Sequence, residues 1–184
     1  MTDFSSITLT TARLEMRTLR EADAAAVYAI RSNAEVMRYH SSLPWTSMSR
    51  AHDLIASDSV AMQKGDFLRL GLLLKGGDSL LGSCCIYNLD VGNRRAEVGY
   101  ELHRDAWGKG YMREALQALL EYGFSSMNLN RYEADIHPDN IASARALEHL
   151  GFTKEGHLRE RWIVGDEVSD SIIYGLLRSE WRKS

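Results

Sequence analysis

Apolar and polar positions along this chain change period several times, and each change marks an element. Phe67 to Leu74 is an almost unbroken apolar run, Leu80 to Leu89 is a second, and Gly76-Gly77-Asp78 between them has hairpin chemistry. After a further turn at Asp90 to Arg94, Ala96 to His103 reads as another strand. The period then switches. Met112, Ala115, Leu116, Leu119 and Leu120 fall at helical spacing, on a helix that ends near Ser125. Tyr132 to Ile136 is extended again, and His137-Pro138-Asp139 stops it. Asn140 to Leu150 reads as a helix closed by Gly151 at C′. Phe152 to Val164 and Val168 to Leu177, joined at Gly165-Asp166, form a closing hairpin. Upstream, Leu9 to Thr18 is a short strand, and Leu19 to Asp23 leads into a helix burying Ala26, Val27 and Ile30. Asn33 to Pro44 is irregular. Thr46 or Ser47 caps a second helix running to about Lys64, with Leu54, Ile55 and Met62 inside.

The order β-α-α-β-β-β-α-β-α-β-β predicts an α/β (α+β) fold, with about seven strands in a mixed, mainly antiparallel sheet and about four helices. Neither a repeat nor an interdomain linker interrupts it. Residues 1–184 form one domain, with its core at about 11–178.

Composition narrows the function. An apolar fraction of 45% with 26% charged residues is that of an ordinary globular chain. A net charge of −3 without a long basic run argues against a general nucleic-acid binder. Met1 to Ser6 has neither the basic nor the apolar region of a signal peptide, and no run approaches the roughly 20 apolar residues of a membrane span, so a cytoplasmic protein is expected. Cys84 and Cys85 are adjacent in a strand and point to opposite faces, so they neither share a metal nor bridge readily. The six histidines show no i, i+4 pair, and no metal site is expected.

The chemistry concentrates at Arg104-Asp-Ala-Trp-Gly-Lys-Gly-Tyr-Met-Arg113. A strand that turns through Gly108 and Gly110 into a helix aims backbone N–H groups and the positive dipole end at one point, which suits a phosphate. Arg104, Lys109 and Arg113 add positive charge around it. The loop is not a Walker A sequence, since Tyr111 follows Gly110. Nor is it the dinucleotide fingerprint, since Arg113 takes the place of the third glycine. An ordinary strand–loop–helix turn would use the same glycines. Further on, Asn140 and Ser143 share one helix face, as an N-cap and a first-turn hydroxyl also would.

Trp107-Gly-Lys-Gly-Tyr-Met112 after a strand, then Asn140-x-x-Ser143 and Leu150-Gly-Phe152, resemble the GNAT N-acetyltransferases. Asn88-Leu-Asp90, Asn93-Arg94 and Ala96-Glu-Val-Gly-Tyr100 are similar to the Rim-type ribosomal-protein N-terminal acetyltransferases within them. The likeness runs from about Thr11 to the closing hairpin. It implies acetyl-CoA as donor, a primary amine as acceptor and a monomer or homodimer. It also implies that Trp107, Gly108, Lys109, Gly110, Tyr111 and Met112 cradle the pyrophosphate, with Arg113 beside them. Leu102, with His103 and Arg104, would pair with the pantetheine arm; Asn140 would touch that arm, and Ser143 would lie near the sulfur. Trp107 and Met112 depart from the family's usual loop, and Leu147 stands where many relatives carry a tyrosine acid. The acid role then moves to Ser143 or a water.

The resemblance makes thioester aminolysis the expected reaction. A thiolate of pKa about 8.5 leaves readily, whereas the amine must lose a proton; an α-amine of pKa about 8 is roughly a tenth neutral at pH 7, and a lysine far less. Glu97 is the first candidate to steer or deprotonate the amine, with Glu101 and Asp135 as alternates; pairing of Glu97 with Arg94 or Arg95 is equally open. Tyr39, Trp45, Arg159, Glu160 and Trp162 are candidates for the acceptor wall. The acceptor is a protein N-terminus, or a small amine such as a polyamine, an antibiotic or an amino-acid derivative; a non-catalytic CoA-binding module is the third possibility.

Overall fold

The computed structural model describes residues 3–181. The first half of the chain lays down β1 (Thr8–Thr10), β2 (Leu14–Arg17), α1 (Ala24–Arg31), α2 (Ala34–Met37), α3 (Ser49–Lys64), β3 (Leu68–Leu74) and β4 (Leu80–Asp90). It continues with β5 (Arg95–Leu102), α4 (Tyr111–Ser125), β6 (Arg131–Ile136), α5 (Ile141–His149), β7 (Thr153–Val164) and β8 (Glu167–Leu177). The strands make one sheet in the order β1-β2-β3-β4-β5-β6-β8-β7, antiparallel throughout except for β5 beside β6.

Two elements differ from the sequence expectation. The stretch 9–18 is a hairpin rather than one strand, because the Thr11 hydroxyl accepts from Leu14 N at 2.9 Å and Thr11 N donates to Leu14 O at 3.0 Å. The sheet therefore has eight strands among the described residues. The stretch 33–44 contains a fifth helix, α2, because Asn33 Oδ1 accepts from Glu35 N at 2.9 Å and from Val36 N at 3.3 Å. A four-residue helix held by its cap leaves too short a periodic signal to detect.

The two faces of the sheet bury different things. Leu68, Leu70 and Leu72 of β3 join the larger core with Leu116, Leu119, Leu120 and Leu147 from α4 and α5. Leu73, one residue out of step, joins a smaller cluster with Val27, Ile30, Ala51 and Ile55 from α1 and α3. The same alternation runs along β5. Ala96 and Val98 belong to the larger core and Tyr100 and Leu102 pack against it, while Glu101 turns to the α1 side.

On that side lies a buried charged network. Arg69 Nε donates to Asp58 Oδ2 at 2.6 Å, Arg69 Nη1 to Ser83 Oγ at 3.3 Å, and Ser83 Oγ to Glu101 Oε1 at 3.1 Å. Arg31 Nε completes it at 3.0 Å from the Glu101 carboxylate. Cys85, on this face, and Cys84, in the larger core, are both free and buried.

The feature that creates the site is an interruption in the sheet. β5 and β6 pair only from Arg95↔Arg131 to Glu97↔Glu133. Beyond that register β5 continues along β4 to Leu102, and β6 along β8 to Ile136, so the two strands diverge. His103 N donates to Leu81 O at 2.7 Å, which makes Gly82 and Leu102 a pair without mutual bonds. By the two-residue alternation, the backbone groups of Tyr100 and Leu102 face the gap.

Candidate active site

One wall of the gap is the glycine loop. Gly108 and Gly110 have φ of 73° and 77°, left-handed values at which a β-carbon is strained. Trp107 N donates to Arg104 O, and the next amide with a backbone acceptor is Glu114 N, bonded to Gly110 O at 3.2 Å. The amides between them are the free donors of the α4 N-terminus. Glu114 does not oppose an anion there, because it is drawn away: its carboxylate accepts from Thr11 Oγ1, Arg13 N and Arg13 Nε at 2.5 to 2.7 Å. Arg13 also donates to Lys109 O at 2.9 Å and stacks on Tyr111, clamping the loop to the sheet edge. Trp107 fastens the other end, donating its indole N–H to Leu102 O at 2.9 Å.

This loop lines a cavity of about 510 Å³ with Leu102, Arg104, Trp107, Gly108, Gly110, Tyr111, Met112 and Arg113, closed on the α5 side by Asn140, Ala142, Ser143 and Ala146. Lys109 and His103 are not on its wall. His103 instead accepts from Asp105 N at 3.3 Å, in the turn that follows β5. Arg104 is turned toward α2, where its Nε donates to Glu35 at 2.7 Å. Asn140 Oδ1 accepts from Ser143 N at 3.2 Å, capping α5, and Ser143 itself lines the cavity. Leu147 is fully buried in the core, so no side chain enters the cavity from that position.

A second cavity, of about 530 Å³, opens on the far side of the gap. The two share Tyr100, Asn140 and Ser143 on one wall and Val36, Arg38, Tyr39 and His40 on the other. Three carboxylates stand on the second cavity's wall: Asp135, Glu167 and Asp170. Asp135 accepts from Ser171 Oγ at 2.5 Å and from Trp162 Nε1 at 3.3 Å; Asp170 accepts from Glu160 N at 2.8 Å and pairs with His157 at 2.7 Å. Tyr39 packs on His137 with ring centroids 5.1 Å apart.

The carboxylates expected at the amine are thus separated. Glu97 sits in the last register where β5 and β6 still pair, accepts from Asn88 Nδ2 at 2.9 Å, and lines neither cavity. Arg95 pairs with Asp90 and Glu133 rather than with it. Glu101 is on the wall of the first cavity but is held by Arg31 and Ser83. Asp135 alone of the three lies on the second cavity's wall. Trp162 is there too, whereas Trp45 is core, buried under Arg31 and Arg50. His40 carried no sequence signal, yet it lines both cavities. Burial pushes its imidazole below the ordinary pKa, with Arg31 and Arg69 pushing the same way and Glu101 opposing. Among the described residues no group of three side chains is placed to hold a metal, and no helix is long and apolar enough to cross a membrane.

The glycine loop at a helix N-terminus thus opens, through a split in the sheet, onto a second cavity with three carboxylates on its wall. Residues 13–153 match the model of the acetyltransferase (GNAT) domain, and the chain belongs to that family. It is 38% identical over 174 residues to the uncharacterized N-acetyltransferase p20 of Bacillus licheniformis, a match covering 95% of this chain and 98% of the relative. The solved structure of Mycobacterium smegmatis RimJ in complex with CoA-disulfide is similar with a TM-score of 0.86 and 23% identity, over 99% of this chain and 92% of that one. Vibrio cholerae spermidine N-acetyltransferase in complex with CoA and spermine is similar with a TM-score of 0.81 and 22% identity, over 91% and 96%. At those identities the likeness is one of fold.

Proposed function

We propose that this chain transfers the acetyl group of acetyl-CoA to a primary amine that enters as an ammonium through the acidic cavity. The observation that carries this reading is the meeting of the two cavities at Tyr100, Asn140 and Ser143. A pyrophosphate on the free amides after Trp107 would place the pantetheine arm along the gap, where the backbone groups of Tyr100 and the Leu102 N–H face no strand, the Leu102 carbonyl being taken by the Trp107 indole. The thioester then reaches the one point open to both sides. The acidic wall of Asp135, Glu167 and Asp170 attracts the ammonium, and Asn140 and Ser143 line the arm and the sulfur.

The amine nitrogen must lose a proton before it attacks. His40 is the base this geometry favours, because burial keeps its imidazole neutral at pH 7 while it lines both cavities. Glu97 and Glu101 are held elsewhere, and Asp135 serves as an electrostatic anchor. The nitrogen then bonds to the thioester carbon, the oxyanion collapses, the C–S bond breaks, and the thiolate takes a proton with Ser143 beside it.

The sign of the pH dependence follows. A lowered folded pKa means His40 is neutral above that pKa and charged below it, so kcat/KM for the acceptor should hold from pH 7 down to 6.5 and fall on the acid side. His40→Gln should lower the plateau by about 10²-fold and remove that acid limb. A wild-type rate that climbs tenfold per pH unit from 7 to 9 would mean the amine arrives already neutral and needs no base.

A protein N-terminus, as in the Rim-type group, and a small polyamine both supply such an ammonium. Thiol release from acetyl-CoA separates them, measured with peptides beginning in Ala, Ser or Met, a peptide with only a lysine amine, spermidine and an aminoglycoside. Turnover with one class names the acceptor. Silence across the panel together with no acetyl-CoA-induced rise in Tm would overturn the donor assignment itself.

A further inference from the structure

The tyrosines of the larger core place their hydroxyls deliberately. Tyr132 Oη donates to Leu119 O at 3.3 Å, and Tyr174 Oη to Glu148 Oε1 at 3.0 Å. Tyr100 Oη differs: it is buried, its one polar neighbour is the Ser143 hydroxyl, and no protein acceptor is placed for the phenol's own proton. A hydroxyl on a cavity wall whose proton has no protein acceptor is free to donate to whatever occupies that cavity.

Its position suggests the purpose. Tyr100 follows Gly99 on β5 in the diverging part of the gap, points to the α5 side, and lines both cavities where they join. Ser143 is close enough to lower the phenol's pKa, although burial dominates and pushes it up to about 12. The phenol therefore stays protonated throughout the working pH range. Raised in this way it is a weaker acid than a thiol of pKa about 8.5, so it keeps its proton beside a leaving thiolate. It is well suited to hold a hydrogen bond that strengthens as negative charge develops beside it.

We propose that Tyr100 Oη donates a hydrogen bond to the thioester oxygen as that oxygen becomes the tetrahedral oxyanion. The inference rests on the acetyl-transfer reading above. In the step, the amine nitrogen bonds to the carbonyl carbon, and the C=O electron pair moves to oxygen against the phenol. As the oxyanion reverts to C=O, the C–S bond breaks and its pair stays on sulfur. The proton lost by nitrogen leaves through His40, sulfur gains one from solvent, and Tyr100 is unchanged across the cycle.

Tyr100→Phe removes one oxygen, and the one group it touches, the Ser143 hydroxyl, lies on the wall of both cavities, so the variant should fold with a Tm close to the wild type. With the acceptor identified by the panel, its kcat should fall about 10²-fold while calorimetric binding of acetyl-CoA is unchanged. A kcat that stays at the wild-type value overturns the proposal, as does a rate loss matched by an equal loss of acetyl-CoA affinity. So does a rate restored by an acetyl thioester of a more acidic aryl thiol, since that would assign the phenol to the leaving sulfur. If the wild type itself binds no acetyl-CoA, the transferase reading falls and this one with it. The binding arm shows that failure separately from the rate.

Discussion

Glu101→Ala should destabilise the folded protein by about 3–5 kcal/mol, lowering Tm by roughly 10 °C in thermal or urea unfolding. The carboxylate is 7% exposed and joins Arg31, at 3.0 Å, to the pair formed by Arg69 and Asp58. Removing it leaves Arg31 and Arg69, which is 8% exposed, sharing one buried face with Asp58 alone. The penalty is that of stranded cations, which exceeds what the intact network contributes. Burial by itself would raise the Glu101 carboxyl, but Arg31 and Arg69 hold it below the ordinary value. A carboxyl depressed in the folded state stabilises above its unfolded pKa and loses that contribution as pH falls through the folded one, so the wild type should weaken below about pH 4.5.

The same variant separates support from catalysis. An ion-paired carboxylate with a depressed pKa is a poor base near neutrality. Glu101→Gln should therefore lose stability while its folded fraction keeps turning over. Loss of the negative charge also removes the carboxylate that raises the His40 pKa, so the acid limb of the rate profile should move to lower pH. Full stability with abolished turnover would instead make Glu101 the base.

These cases divide what local sequence reveals from what only folding brings together. The glycine loop, the apolar face of α4 and the Asn140–Ser143 cap are written within a few residues, so their spacing suffices. The clamp between Arg13 and Glu114 joins positions 101 residues apart, and no local pattern announces it. Strand periodicity puts Glu97 and Glu101 on one face of β5 and Tyr100 and Leu102 on the other. Which face meets the gap depends on how β6 leaves β5, and that is a property of the sheet. The carboxylates were therefore legible as candidates by residue type, while the place of the Tyr100 phenol beside the gap was not. His40 was hidden for a similar reason, since 33–44 has no period and its cavity is made by distant strands.

Gly110→Asp should weaken acetyl-CoA binding by about 100-fold with little change in Tm. Gly110 is at φ 77°, a conformation that Asp and Asn tolerate better than other non-glycine residues, and a β-carbon there would meet only Arg13 Nη2, at 3.4 Å. The fold can accept the side chain. The anion site cannot accept its charge, because the free amides around Gly110 offer the partial positive end of α4 to one anion at a time. A carboxylate about 5 Å from a phosphate in an effective dielectric near 20 is repelled by roughly 3 kcal/mol, and screening at this exposed loop trims that toward two decades of affinity. Gly110→Asn carries the same shape without the charge and should lose about tenfold or less. Calorimetry with acetyl-CoA and with desulfo-CoA measures the difference, and both ligands should weaken equally, since the pyrophosphate is common to them. If Asp and Asn weaken binding alike, the loss is steric and the phosphate does not sit on this loop. If only acetyl-CoA weakens, the loop acts on the acyl end, and the cradle must be sought among Arg104 and Arg113 instead.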